Sequence, residues 1–229
     1  MKLSVKSLLF DYGGTIDANG VHWGEVLWKA YSDYNSGISR DTFRKVYTQV
    51  EQLLGSQSLI LPGHTFKETL EIKVKLQFET LRIDNPCLFS SITEGCYENT
   101  RHCIHRSLQV LEQLKKCYPM YLVSNFYGNL QTTLREFNLI QYFQGVIESA
   151  ETGFRKPDLQ IFRIAIEKTG NKPEEVAVIG DSYKNDIEPA IRLGCQTIWL
   201  RVKGWNNENE SIDHPFIISD FSELVTLLL

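Results

Sequence analysis

Four short apolar runs restrict this chain to few architectures. Leu8-Leu9-Phe10, Met120-Tyr121-Leu122-Val123, Val176-Ala177-Val178-Ile179 and Thr197-Ile198-Trp199-Leu200 are continuous rather than alternating. A strand with one solvated face alternates apolar and polar residues, whereas a strand of a parallel sheet covered on both faces does not. Gly145-Val146-Ile147 and Phe216-Ile217-Ile218 are shorter candidates of the same kind. Helical spacing fills the intervals: Leu108, Leu111 and Leu114, then Leu130, Leu134 and Phe137, then Ile187, Ala190 and Ile191 before Gly194. Pro157 is suited to open a helix carrying Ile161, Ile164 and Ala165, with Gly170 just past its end. Strand and helix therefore alternate from about residue 105 onward. This pattern predicts a doubly wound, Rossmann-like α/β fold with a parallel sheet.

Residues 18–100 follow another pattern. His22–Tyr34, Arg40–Leu54 and Thr65–Leu81 read as helices without a strong strand between them. Thr65-Phe66-Lys67-Glu68 fits a capping box after the break at Pro62-Gly63. Leu70, Ile72, Val74, Leu76 and Phe78 also alternate as a strand would, but the length of the segment and its cap favour helix. The expected organisation is an α/β core of residues 1–17 and 101–229, with a helical cap of residues 18–100 inserted after the first strand.

Composition narrows the functional classes. A formal charge of -4 and a pI near 5.8 lack the basic footprint of a nucleic-acid partner. No apolar run reaches membrane-spanning length, and the stretch before Asp11 is too short for a secretory signal. Five cysteines without a Cys-x-x-Cys pair argue against a disulfide framework and for a reducing, cytoplasmic setting. His102-Cys103-Ile104-His105 has adjacent metal-binding types but no second cluster, and reads as a helix face.

The chemistry lies at the ends of the runs. In an open parallel sheet, ligands collect beyond the carboxyl ends of the strands. Asp11, Ser124-Asn125 and Asp181 stand at those ends, and Arg155-Lys156-Pro157 follows the Gly145 run. Taken singly, each has an ordinary structural reading: Asp11 with its glycines as a turn, Ser124-Asn125 as a strand terminus, Lys156 as a solvated loop lysine, Asp181 as a helix cap. Converging on one crevice, they suit a dianion and a hard cation. Asp11 and Asp181 offer oxygen ligands for Mg2+, while Lys156 and the amides around Gly13, Gly14 and Asn125 suit phosphate oxygens. Asp11, screened in this way, becomes a candidate nucleophile toward phosphorus.

These segments resemble, in order, the four motifs of the haloacid dehalogenase-like hydrolase superfamily. Asp11 to Thr15 resembles the first, Tyr121 to Asn125 the second, Lys156 within Phe154 to Asp158 the third, and Gly180 to Asp186 the fourth. The helical insert resembles the cap that closes over the site in one large branch. The resemblance implies Asp11 as nucleophile and metal ligand, Lys156 as a catalytic and phosphate-binding residue, and Ser124, Asn125 and Gly14 as further phosphate-binding positions. It also implies Asp181, Asp186 and the Gly13 carbonyl as ligands to Mg2+. The expected substrate is a small phosphorylated metabolite.

One position departs from the pattern. Family phosphatases usually carry a second aspartate where this chain has Gly13, and that carboxylate serves as general acid and base. Asp17 is a conceivable substitute, although the sequence does not fix its direction. Phosphonate-cleaving relatives lack this acid and use a cap lysine to form an imine, for which Lys29, Lys45, Lys67, Lys73 and Lys75 are available. Haloacid hydrolysis also stays open, as does a catalytically weak ligand-binding or interaction role. His22, Trp23 and Trp28 lie near the start of the cap and read either as an entrance or as core packing.

Overall fold

The computed structural model describes residues 3–202, 205 and 212–229; Met1 and Lys2, included in the expected core, lie outside them. Its centre is a six-stranded, fully parallel sheet. The strands are β1 (Ser7–Phe10), β2 (Met120–Ser124), β3 (Gly145–Glu148), β4 (Val176–Gly180), β5 (Gln196–Leu200) and β6 (Ile217–Ile218). They are ordered β3-β2-β1-β4-β5-β6. The helices are α1 (Trp23–Asp33), α2 (Arg40–Ser56), α3 (Phe66–Leu81), α4 (Pro86–Leu114), α5 (Leu130–Glu136), α6 (Ser149–Thr152), α7 (Leu159–Thr169), α8 (Glu188–Arg192) and α9 (Glu223–Leu228).

Helices cover both faces, which explains the unbroken apolar strands. Leu8, Phe10, Leu122, Ile179 and Ile198 point into a core shared with Leu111 and Leu114 of α4 and Leu224 of α9. Leu9, Val123, Ile147 and Val178 point the other way, against Ile161, Phe162 and Ala165 of α7. Period-two alternation of direction within each run gives both faces an apolar lining. Strand order reverses beside β1, with β2 on one side and β4 on the other, so the crevice of the switch point opens between the ends of β1 and β4.

The insert after β1 is helical. Thr65 and Glu68 make the reciprocal capping box, and the alternating residues from Leu70 to Phe78 lie on α3. Helix α4 is longer than the leucine spacing predicts. Asn85 caps it through the Leu88 amide and Pro86 occupies its first turn, so it runs 29 residues from insert to core. The expected division at residue 100 falls inside this continuous helix. Pro157 does not open α7: Asp158 caps it by accepting from the Gln160 amide, and Gly170 ends it in the left-handed conformation. Among the described residues, no helix is long and apolar enough to cross a membrane.

Candidate active site

The short strand β1 delivers Asp11 to the switch point, where the Asp11 amide donates to the Ile179 carbonyl at 2.9 Å, continuing the pairing with β4. Beyond it the chain turns sharply through Gly14, whose φ is +92°. A Cβ there would lie 2.7 Å from the Asp181 carboxylate, so both conformation and space require glycine. Thr15, on the far side of the turn, places Oγ1 3.3 Å from Asp11 Oδ2 and 3.1 Å from Asp181 Oδ1. It also accepts from the Asp181 amide at 3.1 Å. Thr15 thus locks the first strand end to the fourth, a role its position in the first motif does not disclose.

Strand β4 ends at Gly180 and Asp181. The next turn, Tyr183–Ile187, is wound as a π-helix, the Ser182 carbonyl accepting from the Ile187 amide five residues on at 3.4 Å as well as from the Asp186 amide at 2.8 Å. Asp181 and Asp186 are five residues apart, a spacing that an ordinary α-helical turn separates. The wider turn brings Asp186 inward, buried, and its Oδ2 accepts from the Ser182 amide at 3.0 Å. Gly180 makes room for it, since a Cβ there would sit 2.5 Å from the Asp186 side chain.

Lys156 arrives from the loop before α7. Its ammonium lies 2.5 Å from Asp11 Oδ1 and 2.6 Å from Asp186 Oδ1, with all three residues buried. Asn125 holds this loop: its Nδ2 donates to the Lys156 carbonyl at 2.9 Å and its Oδ1 accepts from the Lys156 amide at 2.8 Å. The Asn125 side chain is therefore occupied in positioning Lys156. Ser124 is buried at the end of β2. Gly14 also differs from its expected phosphate-binding role, because its N–H turns toward Asp17 Oδ1, 2.7 Å away.

Oxygens of Asp11, Asp181 and Asp186 lie within 4.8 Å of one another, with one lysine among them. Burial raises the affinity of Asp181 for a proton well above the ordinary carboxylate range, and the charges of Asp11 and Asp186 add to it. Burial also raises Asp186, with Lys156 opposing. Burial works against the Lys156 charge, yet Asp11 and Asp186 outweigh it and keep the ammonium protonated above the usual lysine range. Three crowded oxygen donors, those of Asp11 and Asp186 buried and that of Asp181 half-buried, suit a small hard cation.

Gly13 opens onto a cavity of about 150 Å³ between core and insert. Among the described residues, the one neighbour a Cβ at Gly13 would meet is Trp23 Cδ1, at 3.9 Å. Asn125, Phe126 and Tyr127 border the cavity from the core, and Trp23, Glu51 and Lys73 from the insert. Of the five candidate cap lysines, Lys73 alone is buried. Its ammonium lies 2.7 Å from Glu51 Oε1 and donates to the Tyr127 hydroxyl at 2.9 Å. Burial opposes the charge, but Glu51 more than offsets it and keeps Lys73 an ammonium. His22 and Trp23 do line this space, whereas Trp28 packs on Phe43.

Asp17 is held within the turn that follows Asp11. Its two oxygens accept from the Gly14 amide at 2.7 Å and the Trp23 indole at 2.9 Å, so it braces the Gly13-Gly14 turn from behind. Burial raises its pKa to about 7, although both hydrogen bonds oppose the shift and Asp11 adds to it. A carboxyl of ordinary pKa near 3.8 when unfolded and about 7 when folded holds a native-state proton between those values. Its stabilising contribution is fully present below pH ~4, declines as pH rises toward 7 and is flat above, a change on the order of 4 kcal/mol. Urea midpoints measured from pH 4.5 to 7.5 are expected to fall more steeply in wild type than in Asp17→Asn. Parallel slopes contradict this account of Asp17.

The family model for haloacid dehalogenase-like hydrolases matches residues 5–194. This chain belongs to that family and is a hydrolase. It is 26% identical over 196 residues to haloacid dehalogenase-like hydrolase domain-containing protein 3 of Danio rerio, covering 80% of this chain and 77% of that protein. It is 34% identical over 88 residues to a glyceraldehyde 3-phosphate phosphatase of Methanocaldococcus jannaschii, covering 38% of each chain. A crystallised dehalogenase with an intermediate complex shares the fold at a TM-score of 0.68 and 18% identity, over 100% of this chain and 99% of that one.

Proposed function

We propose that this protein is a Mg2+-dependent phosphatase acting on a small phosphomonoester through an aspartyl-phosphate at Asp11. The observation that carries the reading is the clustering of Asp11, Asp181, Asp186 and Lys156 at the strand ends, beside a cavity that opens at Gly13. The likeness to phosphatases in the family favours phosphate chemistry over haloacid hydrolysis.

Asp11, Asp181 and Asp186, with the Gly13 carbonyl, are the residues that would hold Mg2+. The ion supplies charge neutralisation that lets an anionic carboxylate approach an anionic phosphoryl group. Lys156, paired with Asp11 and Asp186, screens the same charge and donates to a phosphoryl oxygen. Ser124 and the Asn125 backbone border the phosphoryl position, and Asn125 fixes Lys156 through its backbone. Asp11 attacks phosphorus in line with the leaving alkoxide, and water then cleaves the acyl phosphate, regenerating Asp11. The insert excludes bulk water during both steps. With glycine at position 13, the leaving oxygen takes its proton from solvent or substrate, and the reaction is slow by the standard of relatives with the acid in place.

A reducing intracellular compartment is consistent with five free thiols at Cys87, Cys96, Cys103, Cys117 and Cys195. The reading is tested by a screen of phosphorylated metabolites with a phosphonate and a haloacid included, run with Mg2+ and with EDTA. Phosphate release from monoesters that EDTA abolishes is expected. Turnover of the haloacid or phosphonate alone, or EDTA-resistant release, sinks it.

A further inference from the structure

The cavity beside Gly13 carries a charge pair that the phosphoryl chemistry does not use. Lys73 comes from α3, Glu51 from α2 and Tyr127 from the loop after β2, so three separate segments build one polar corner. Tyr127 accepts from Lys73 at 2.9 Å and donates to Glu51 Oε2 at 2.7 Å. Burying the Lys73 ammonium costs solvation that the half-buried Glu51 carboxylate only partly restores, so the pair is a weak device for stability alone. An ammonium has three N–H groups; among the described residues Lys73 donates one to Tyr127 and lies at ion-pair distance from Glu51 Oε1. One N–H is left for a third acceptor. The rings of Trp23 and Tyr127 flank the ammonium, at 5.9 and 5.2 Å from its nitrogen.

We infer that this cavity is the leaving-group subsite, and that Lys73 selects small alcohols bearing an acceptor oxygen, of about three to six carbons. The inference rests on the phosphatase reading and deepens it. A volume of about 150 Å³ is the size of a cavity that takes a benzene-sized molecule. It accommodates a triose, tetrose or short hydroxy acid, whereas a nucleoside would extend out of it. Asn125 and Gly13 border the same space, so a leaving group seated there stays joined to the phosphoryl position. The Lys73 ammonium supplies a charged donor at a buried point, where an acceptor-free substrate leaves it unmatched.

The experiment compares kcat/KM for glycerol 3-phosphate, propyl phosphate and adenosine 5′-monophosphate, in the presence of Mg2+. Wild type is expected to prefer glycerol 3-phosphate over propyl phosphate by about ten-fold or more, and to process the nucleotide poorly. In the double variant Lys73→Met with Glu51→Gln, which avoids an unpaired buried charge, that preference collapses toward about one-fold, chiefly through KM. Leu70→Ala, which widens the cavity wall, is expected to raise the nucleotide's kcat/KM relative to glycerol 3-phosphate, a gain that misfolding cannot imitate. An unchanged glycerol-to-propyl ratio in the double variant, or wild-type preference for the nucleotide, overturns the subsite while leaving phosphatase activity intact. Phosphate release from none of the three overturns the phosphatase reading and the subsite with it.

Discussion

Asp11→Asn is expected to reduce Mg2+-dependent phosphate release by about 10⁴-fold or more, as removal of a covalent nucleophile does in other hydrolases. Asparagine keeps the volume and one acceptor oxygen but lacks the anionic oxygen that attacks phosphorus. It also unbalances the site, because Lys156 then faces only Asp186 as a charged partner within ion-pair distance among the described residues. The protein should remain folded, since the β1 backbone pairing is untouched and Lys156 keeps its ion pair with Asp186. Circular dichroism of the variant, measured beside its activity, separates lost chemistry from lost structure. Equal rates in variant and wild type contradict the assignment of Asp11.

Gly13→Asp is expected to act in the opposite direction, raising turnover of ordinary phosphomonoesters by roughly 10²–10⁴-fold. Space for the change is already present. A Cβ at Gly13 meets Trp23 Cδ1 at van der Waals distance, and the residue carries no positive φ that a side chain would strain. A carboxyl at this position enters the cavity that Gly13 borders, the proposed leaving-group subsite. The gain should be largest for poor leaving groups, which depend most on protonation, and smallest for an aryl phosphate. A rise that is uniform across leaving groups, or no rise at all, contradicts the view that a missing acid limits the reaction. Asp17 does not obscure this test, because both its oxygens are bound to Gly14 and Trp23.

Much of this arrangement is legible in the chain, for definable physical reasons. Strands covered on both faces seldom carry charged residues in their interiors, so the first polar residues after the runs at Phe10, Val123 and Ile179 announce where the sheet ends. All six expected strands are present, and parallel pairing follows from their unbroken apolar character. Asp186 is harder to place, because α-helical periodicity sends the fifth residue after Asp181 round the helix; the π-type turn returns it to Lys156. The orientation of Asp17 depends on an indole hydrogen bond from Trp23, six residues on, which no local pattern encodes.

The polar corner of the cavity is the least visible part. Glu51, Lys73 and Tyr127 each look unremarkable in their own segment, and only the packing of the insert on the core brings them together. The long α4 shows the converse: Asn85-Pro86 is a good helix start, but the stronger leucine repeat downstream masks it.

The covalent step is most directly tested by acid-quenching the enzyme during turnover of a ³²P-labelled small phosphomonoester with Mg2+, then mapping the label by proteolysis. The account predicts a base-labile phosphoryl group on the peptide containing Asp11, absent in Asp11→Asn and absent when EDTA replaces Mg2+. Phosphate release without any label on Asp11, or label on another residue, contradicts it.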